Sequence, residues 1–231
     1  MWNRAAIVRG DTTKKEIALV FTGHEFADGG TVILETLRHH KIKASFFFTG
    51  DFYRNKQFQP LIRQLKADGH YLGAHSDRHL LYCDWNNRDS LLVTKEVFTN
   101  DLLANCRAME QLGINAQQAN IFLPPYEWYN QTIADWTSEL NMQLINFTPG
   151  TKSNADYTWP DLPNYQSSEA IYQSIINYEM KSSSGLNGFM LLLYVGTDER
   201  RPDKFYMRLP QLLQQLKDMG YSFKNIGELL N

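Results

Sequence analysis

Ile17-Ala18-Leu19-Val20-Phe21-Thr22 narrows the fold more than any other stretch, because its unbroken apolar run leaves neither face of a strand for water. A strand of that kind belongs inside a parallel sheet covered on both sides. The same pattern then recurs. Thr31 to His40 carries Val32, Ile33, Leu34 and Leu37 at helical spacing, and Ala44 to Gly50, rich in phenylalanine, predicts a second strand. Phe58 to Ala67 predicts a second helix stopped by Asp68-Gly69, and Tyr71 to Ala74 a third strand. A long helix is expected from Asp89 to Leu112, closed by Gly113; Ile121-Phe122-Leu123 then opens a fourth strand that Pro124-Pro125 must end. Beyond it the pattern predicts helices over 133–140, 169–181 and 209–219, and strands over 144–147, 189–195 and 221–223.

That is about seven β–α units with no break in composition between them, so the expected fold class is α/β, a distorted (β/α) barrel forming one domain over residues 1–231. Ser182-Ser183-Ser184-Gly185 is a turn, too short to divide domains. In such a barrel the loops after the strands gather on one face, here 23–30, 51–53, 75–85, 124–130, 148–161 and 196–206.

Composition removes several function classes. A net charge of −2, a pI near 6.3 and no Lys/Arg cluster beyond a pair argue against a nucleic acid or an anionic membrane as partner. No apolar run approaches the ~18 residues that cross a bilayer. Two cysteines, Cys83 and Cys106, do not make a disulfide framework.

The chemistry is expected where the third strand ends. In His75-Ser76-Asp77-Arg78-His79 two imidazoles four residues apart can close on one metal ion, although two solvated loop histidines have the same spacing. Ser45-Phe46-Phe47-Phe48-Thr49-Gly50, Asp68-Gly69-His70-Tyr71-Leu72-Gly73-Ala74-His75-Ser76 and Leu123-Pro124-Pro125-Tyr126 follow in order. From about Lys15 to about Tyr221 the chain resembles the polysaccharide deacetylases of carbohydrate esterase family four, the NodB-homology fold.

What the resemblance implies is metal-dependent removal of N-acetyl (or O-acetyl) groups from a carbohydrate. The cofactor would be a divalent ion, zinc ahead of nickel or cobalt, whose bound water has its pKa lowered to roughly 7. His75 and His79 would be metal ligands, and the backbone N–H of Tyr126 would contact the oxyanion. A glycan substrate would suit the periplasm or secretion if a leader were removed before Met1. The chain departs from the family pattern at several points. The Asp-Asp pair after the first strand is replaced by Thr22-Gly23 or by Ala27-Asp28, according to alignment. His24 is then the candidate third ligand, and Glu25 or Asp28 the candidate base, with Asp28 favoured by the sharp turn that Gly29-Gly30 permits. Leu123 stands in place of the family's Arg, and Tyr194, a far weaker acid than imidazolium, in place of its late His. The alternative is a catalytically impaired relative that binds carbohydrate. In both readings Tyr82, Trp85, Trp128 and Tyr157 are candidates for stacking on sugar rings, and Asp156 for binding substrate.

Overall fold

The computed structural model describes residues 1–231. A short antiparallel hairpin, β1 (Trp2–Asn3) and β2 (Ala6–Ile7), precedes a run of parallel strands and helices. In chain order these are β3 (Glu16–Gly23), α1 (Gly30–His40), β4 (Ser45–Phe48), α2 (Gly50–Arg54), α3 (Gln59–Ala67), β5 (Tyr71–Ala74), α4 (Lys95–Gln111), β6 (Ile121–Phe122), α5 (Gln131–Glu139) and β7 (Gln143–Leu144). Then follow α6 (Ser168–Lys181), β8 (Phe189–Tyr194), α7 (Leu209–Asp218), β9 (Ser222–Lys224) and α8 (Ile226–Leu229). The strands form one curled parallel sheet in the order β7-β6-β5-β4-β3-β8. The long strand β3 has three partners: β8 along one edge, β4 beside Val20–Gly23, and β9 beside Glu16–Ala18.

Between β7 and β8 no ladder closes the barrel, and single bonds bridge the gap. Asn146 donates its N–H to the Ile7 carbonyl at 2.9 Å, and Thr148 donates its own to Met190 at 3.1 Å. The Thr148 hydroxyl donates to the Val8 carbonyl at 2.5 Å and accepts from the Met190 N–H at 2.9 Å. The hairpin thus acts as a wedge in the open side, a role its sequence gave no sign of.

Strand periodicity sorts the core into two compartments. Ile17, Leu19, Phe21, Phe46, Phe48, Phe189, Leu191 and Leu193 face the helices in the larger cluster. Ala18, Val20, Phe47, Leu123, Met190 and Leu192 fill the barrel interior with Ile121 and Ile145. Helix α8 plugs the amino-terminal end with Ile226 and Leu229, its Ile226 N–H donating to the buried Ser45 hydroxyl at 2.7 Å. Asn225 and Glu228 close that short helix by a reciprocal capping box.

Two boundaries differ from the sequence expectation. Helix α4 begins at Lys95, capped by the Thr94 hydroxyl, so residues 75–94 stay open as one long loop over the carboxyl end of the sheet. The fifth expected strand shrinks to Gln143–Leu144, because beyond Ile145, which still bonds Phe122 of β6, Asn146 and Thr148 turn to the hairpin and β8 instead.

Ile226→Ala should open a cavity in the barrel floor and cost about 2–5 kcal/mol. Urea unfolding measures it, and a loss below about 1 kcal/mol would show that α8 is not part of the cooperative core.

Candidate functional site

The inward rows of the strands run out of apolar residues at their carboxyl ends. Next in line after Ala18 and Val20 is Thr22, and after Met190 and Leu192 it is Tyr194, the two being register partners. His75 follows β5 in the same way. These tips, with His24, Glu25, Phe26, His79, Trp85, Tyr126, Glu127, Tyr157, Trp159 and Arg200, line a cavity of about 570 Å³.

The loop that carries the histidines is held from α4. Asn105 accepts from the His75 N–H at 2.8 Å and donates to the Phe48 carbonyl at 3.2 Å. Asp101 accepts from the N–H groups of Asp77 and Arg78 at 3.1 and 3.2 Å, and from the Tyr82 hydroxyl at 2.7 Å. Arg54 grips the Asp77 carboxylate with two donors, at 2.6 and 3.1 Å. These bonds fix an unusual backbone: Ser76 and His79 have φ of 72° and 56°, while Tyr126 and Glu127 opposite them have 58° and 53°. Three of the eight non-glycine residues in the left-handed region thus line this one cavity and a fourth, Ser76, directly follows His75, and such strain persists only where the surroundings impose it.

The structure brings His24, His75 and His79 together. His79 lies with its ring centroid 4.7 Å from that of His24 and 5.1 Å from that of His75. Burial drives His75 down to about 4 and His79 to about 2, so both are neutral imidazoles. Nδ1 of His75 is 2.7 Å from the Leu123 carbonyl, which can only accept; the ring proton is therefore on Nδ1 and Nε2 keeps its lone pair.

This donor set does not fit a three-ligand metal centre. An ion lies in the plane of every imidazole that binds it, yet the His24 and His79 rings are stacked with 10° between their planes, so they share no such point. No group of three or more His, Cys, Asp or Glu is arranged to hold a metal. Gly23 occupies the end of β3, and a Cβ there would lie 2.7 Å from Val195 Cγ1 and 2.9 Å from Phe48 Cδ1, so a carboxylate side chain has no room.

The other expected residues divide. Tyr126 packs against His79 at 4.3 Å, Trp85 stands edge-on to Tyr126 at 5.5 Å, and Tyr157 packs against Tyr194 at 5.1 Å, all on the cavity wall. Glu25 is on the rim, 4.0 Å from His24 Nε2. Trp128 lies beside Trp85 but is sandwiched against Arg88, 4.2 Å from its ring, and is not among the residues lining the cavity. Tyr82 is buried to 1% exposure beneath the loop, so its ring presents no face to a ligand. Asp28 turns away from the histidines: it accepts from the Thr197 N–H at 2.7 Å and the Tyr206 hydroxyl at 2.9 Å, and pairs with Lys204 at 3.2 Å. Its carboxylate ties the loop after β8 to the start of α1. Asp156 is buried behind Tyr194, accepting that residue's N–H at 3.1 Å.

Sequence reasoning missed Glu127. Its carboxyl is enclosed, with Oε2 accepting from the Tyr194 hydroxyl at 3.2 Å and Oε1 unpartnered. Asp156 Oδ1 and Thr22 Oγ1 are also unpartnered, so three of the chain's four orphaned buried side-chain atoms surround Tyr194. Burial lifts Glu127 to about 7 and Asp156 to about 8. The signal available in the sequence was a carboxylate directly after Pro124-Pro125-Tyr126, on a strand-end loop.

A raised carboxyl keeps its proton in the folded chain where the unfolded chain has lost it, so its stabilising contribution is greatest at low pH and falls as pH rises through about 4.5 to 7. The buried His70, His75 and His79 act in the opposite sense below about pH 6.5, so a difference measurement is needed. Glu127→Gln should gain stability relative to wild type by about 3 kcal/mol between pH 5 and pH 8. Parallel curves of unfolding free energy against pH for the two proteins would mean that Glu127 ionises freely.

Comparison with known proteins gives a consistent picture. Residues 9–145 match the family model for polysaccharide deacetylase. A peptidoglycan-N-acetylglucosamine deacetylase of Bacillus cereus is 26% identical over 217 residues, covering 94% of this chain and 89% of that protein. The peptidoglycan-N-acetylmuramic acid deacetylase PdaA of Bacillus subtilis is 27% identical over 229 residues, covering 97% and 75%. Among solved structures, a family 4 carbohydrate esterase pseudoenzyme from Bacillus anthracis superimposes with a TM-score of 0.76 at 20% identity, over 100% of this chain and 70% of that one.

Proposed function

This chain belongs to the polysaccharide deacetylase family, and from that premise we propose that it binds an N-acetylated glycan in the histidine-lined cavity without hydrolysing it by the family's route. The observation that carries this reading is the end of β3. Aligned on the strand, Thr22 and Gly23 stand where the family pattern has two carboxylates, and Gly23 is packed too tightly for a side chain. Without them β3 sets no carboxylate among the histidines, and Glu25 lies out on the rim, 4.0 Å from His24 Nε2.

The remaining groups suit recognition. Trp85 is 53% exposed, and with Tyr126 and Tyr157 it offers aromatic faces to the apolar C–H side of a sugar ring. Neutral His75 presents the lone pair of Nε2, an acceptor for an amide N–H or a hydroxyl. A carboxyl in the state favoured for Glu127 has a proton to donate, and through the Tyr194 hydroxyl it sets which way that phenol points its own proton. Placing Asp28 in the β8–α1 tie and His24 in a stack leaves neither free for the roles that the sequence suggested. Relatives of this chain act on N-acetylglucosamine and N-acetylmuramic acid units of peptidoglycan, which supports an acetamido sugar as the ligand.

A second reading is removal of an N- or O-acetyl group with a divalent ion, zinc above nickel or cobalt. The His75–His79 pair favours it, since the bond from His75 to Leu123 holds that ring as bonds behind metal-bound histidines do.

One experiment separates the two readings. Titrating an N-acetylated chito-oligosaccharide by calorimetry should give saturable binding, weakened about tenfold (~1.4 kcal/mol) in Trp85→Ala. Acetate release, assayed with added zinc, should stay at background. Release that scales with one equivalent of bound zinc would overturn the binding reading and establish the hydrolytic one, and no binding would remove both.

A further inference from the structure

The histidine cavity is not isolated. A second hollow of about 1320 Å³ lies between α1, α3 and the loop after β8, and Glu25, Phe26, Thr197, Asp198 and Arg200 line both. Phe26 forms part of the wall common to the two, and it keeps 40% of its surface exposed. The second hollow alone exceeds the ~300–1,000 Å³ of a small-molecule site. A lone acetamido sugar does not need so much room.

The chemistry of its walls says what sort of extension fits. Leu34 on α1 and Phe58, Pro60 and Leu61 beside or on α3 supply apolar surface, while Thr31, Gln57 and Gln64 supply neutral hydrogen-bonding groups. Every cation on the walls is already engaged within the protein: Arg38 with Asp68 at 2.5 Å, Lys204 with Asp28 at 3.2 Å, and Arg200 with Asp198 at 2.6 Å. Arg200 is also spread over the Trp159 ring at 3.8 Å. A polyanion finds no free positive group there, whereas sugar hydroxyls find the side chains of Gln57, Gln64 and Thr31 and the carboxylates of Glu35 and Glu199.

From this continuity we infer that the ligand is a neutral glycan oligomer which runs from the histidine cavity across Phe26 into the α1–α3 hollow, with Phe26 as the stacking platform that makes the chain prefer polymers to short fragments. The inference rests on the glycan reading above. It adds a second subsite, a direction for the chain and a residue that sets preference for length.

The test is calorimetry of N-acetylated chito-oligosaccharides from two to six sugars. In wild type the affinity should rise at least tenfold from dimer to hexamer. Thr31→Trp, which projects an indole into the second hollow from the exposed face of α1, should bind the dimer as wild type does and lose the gain with length. Phe26→Ala should weaken the hexamer more than the dimer. Dimer binding with no dependence on length, or a length gain that survives both substitutions, would overturn the second subsite and leave the glycan reading standing. Failure of every oligomer to bind would remove both. A hexamer of uronic acids that binds as tightly as the acetamido hexamer would overturn the preference for a neutral chain.

Discussion

The barrel interior accepts one side chain for every two residues of each strand, and the rest of the structure depends on that spacing. Ala18, Val20, Phe47, Leu123, Met190 and Leu192 use up the space near the floor and middle, with α8 sealing the bottom. Whatever follows them on the inward rows is forced to the open end, beyond the apolar packing. Thr22, His75 and Tyr194 are polar residues placed there by strand period, not by any local preference of their own. The site is therefore a property of register: a one-residue slip in β3 or β8 would turn its polar tips toward the helices.

Holding the open end in shape takes more than the sheet provides. The loop over residues 75–94 has no regular partner, and its backbone is secured by two polar side chains of α4, Asp101 and Asn105. On the opposite side Arg201, fully buried, donates to the carbonyls of Thr158, Gln166 and Asp203 and so fixes the segment that carries Tyr157 and Trp159. Removing one partner from a buried charged network leaves the others unpaired in low dielectric, so each brace is sensitive to substitution while touching no ligand. The aromatic wall of the cavity is positioned by polar groups behind it.

The order of strands and helices was readable because periodicity is a property of each segment alone. The buried run at β3, the phenylalanines of β4 and the helical spacing of α1 and α3 all appear where the pattern puts them. The clustering of His24, His75 and His79 was legible in the same way, as polar residues just past strand ends. What could not be read was orientation. Asp28 looks free in sequence and is consumed by Thr197, Lys204 and Tyr206, residues about 170 positions later. Tyr82 looks like a sugar platform and is drawn under its loop by Asp101. Glu127 drew no attention, because its importance arises from enclosure, which depends on Tyr194 and the left-handed turn at Tyr126-Glu127.

The replacements in the site also make sense as a set. A buried arginine is tolerable when a carboxylate shares its environment, and costly when none does. With Thr22 and Gly23 ending β3, an arginine at position 123 would face no negative group from that strand, and leucine instead completes the barrel packing. Gly23 in turn lets Val195 and Phe48 approach across β3, which removes the space that a second carboxylate would occupy. Tyr194 closes the arrangement. A phenol at that position stays neutral beside two enclosed carboxyls, each of which favours its own proton. The open end of the barrel thus holds a neutral, hydrogen-bonding cluster beside the histidines. A carboxylate placed at the β3 end, or an arginine placed at position 123, would each alone bring an uncompensated charge into that cluster.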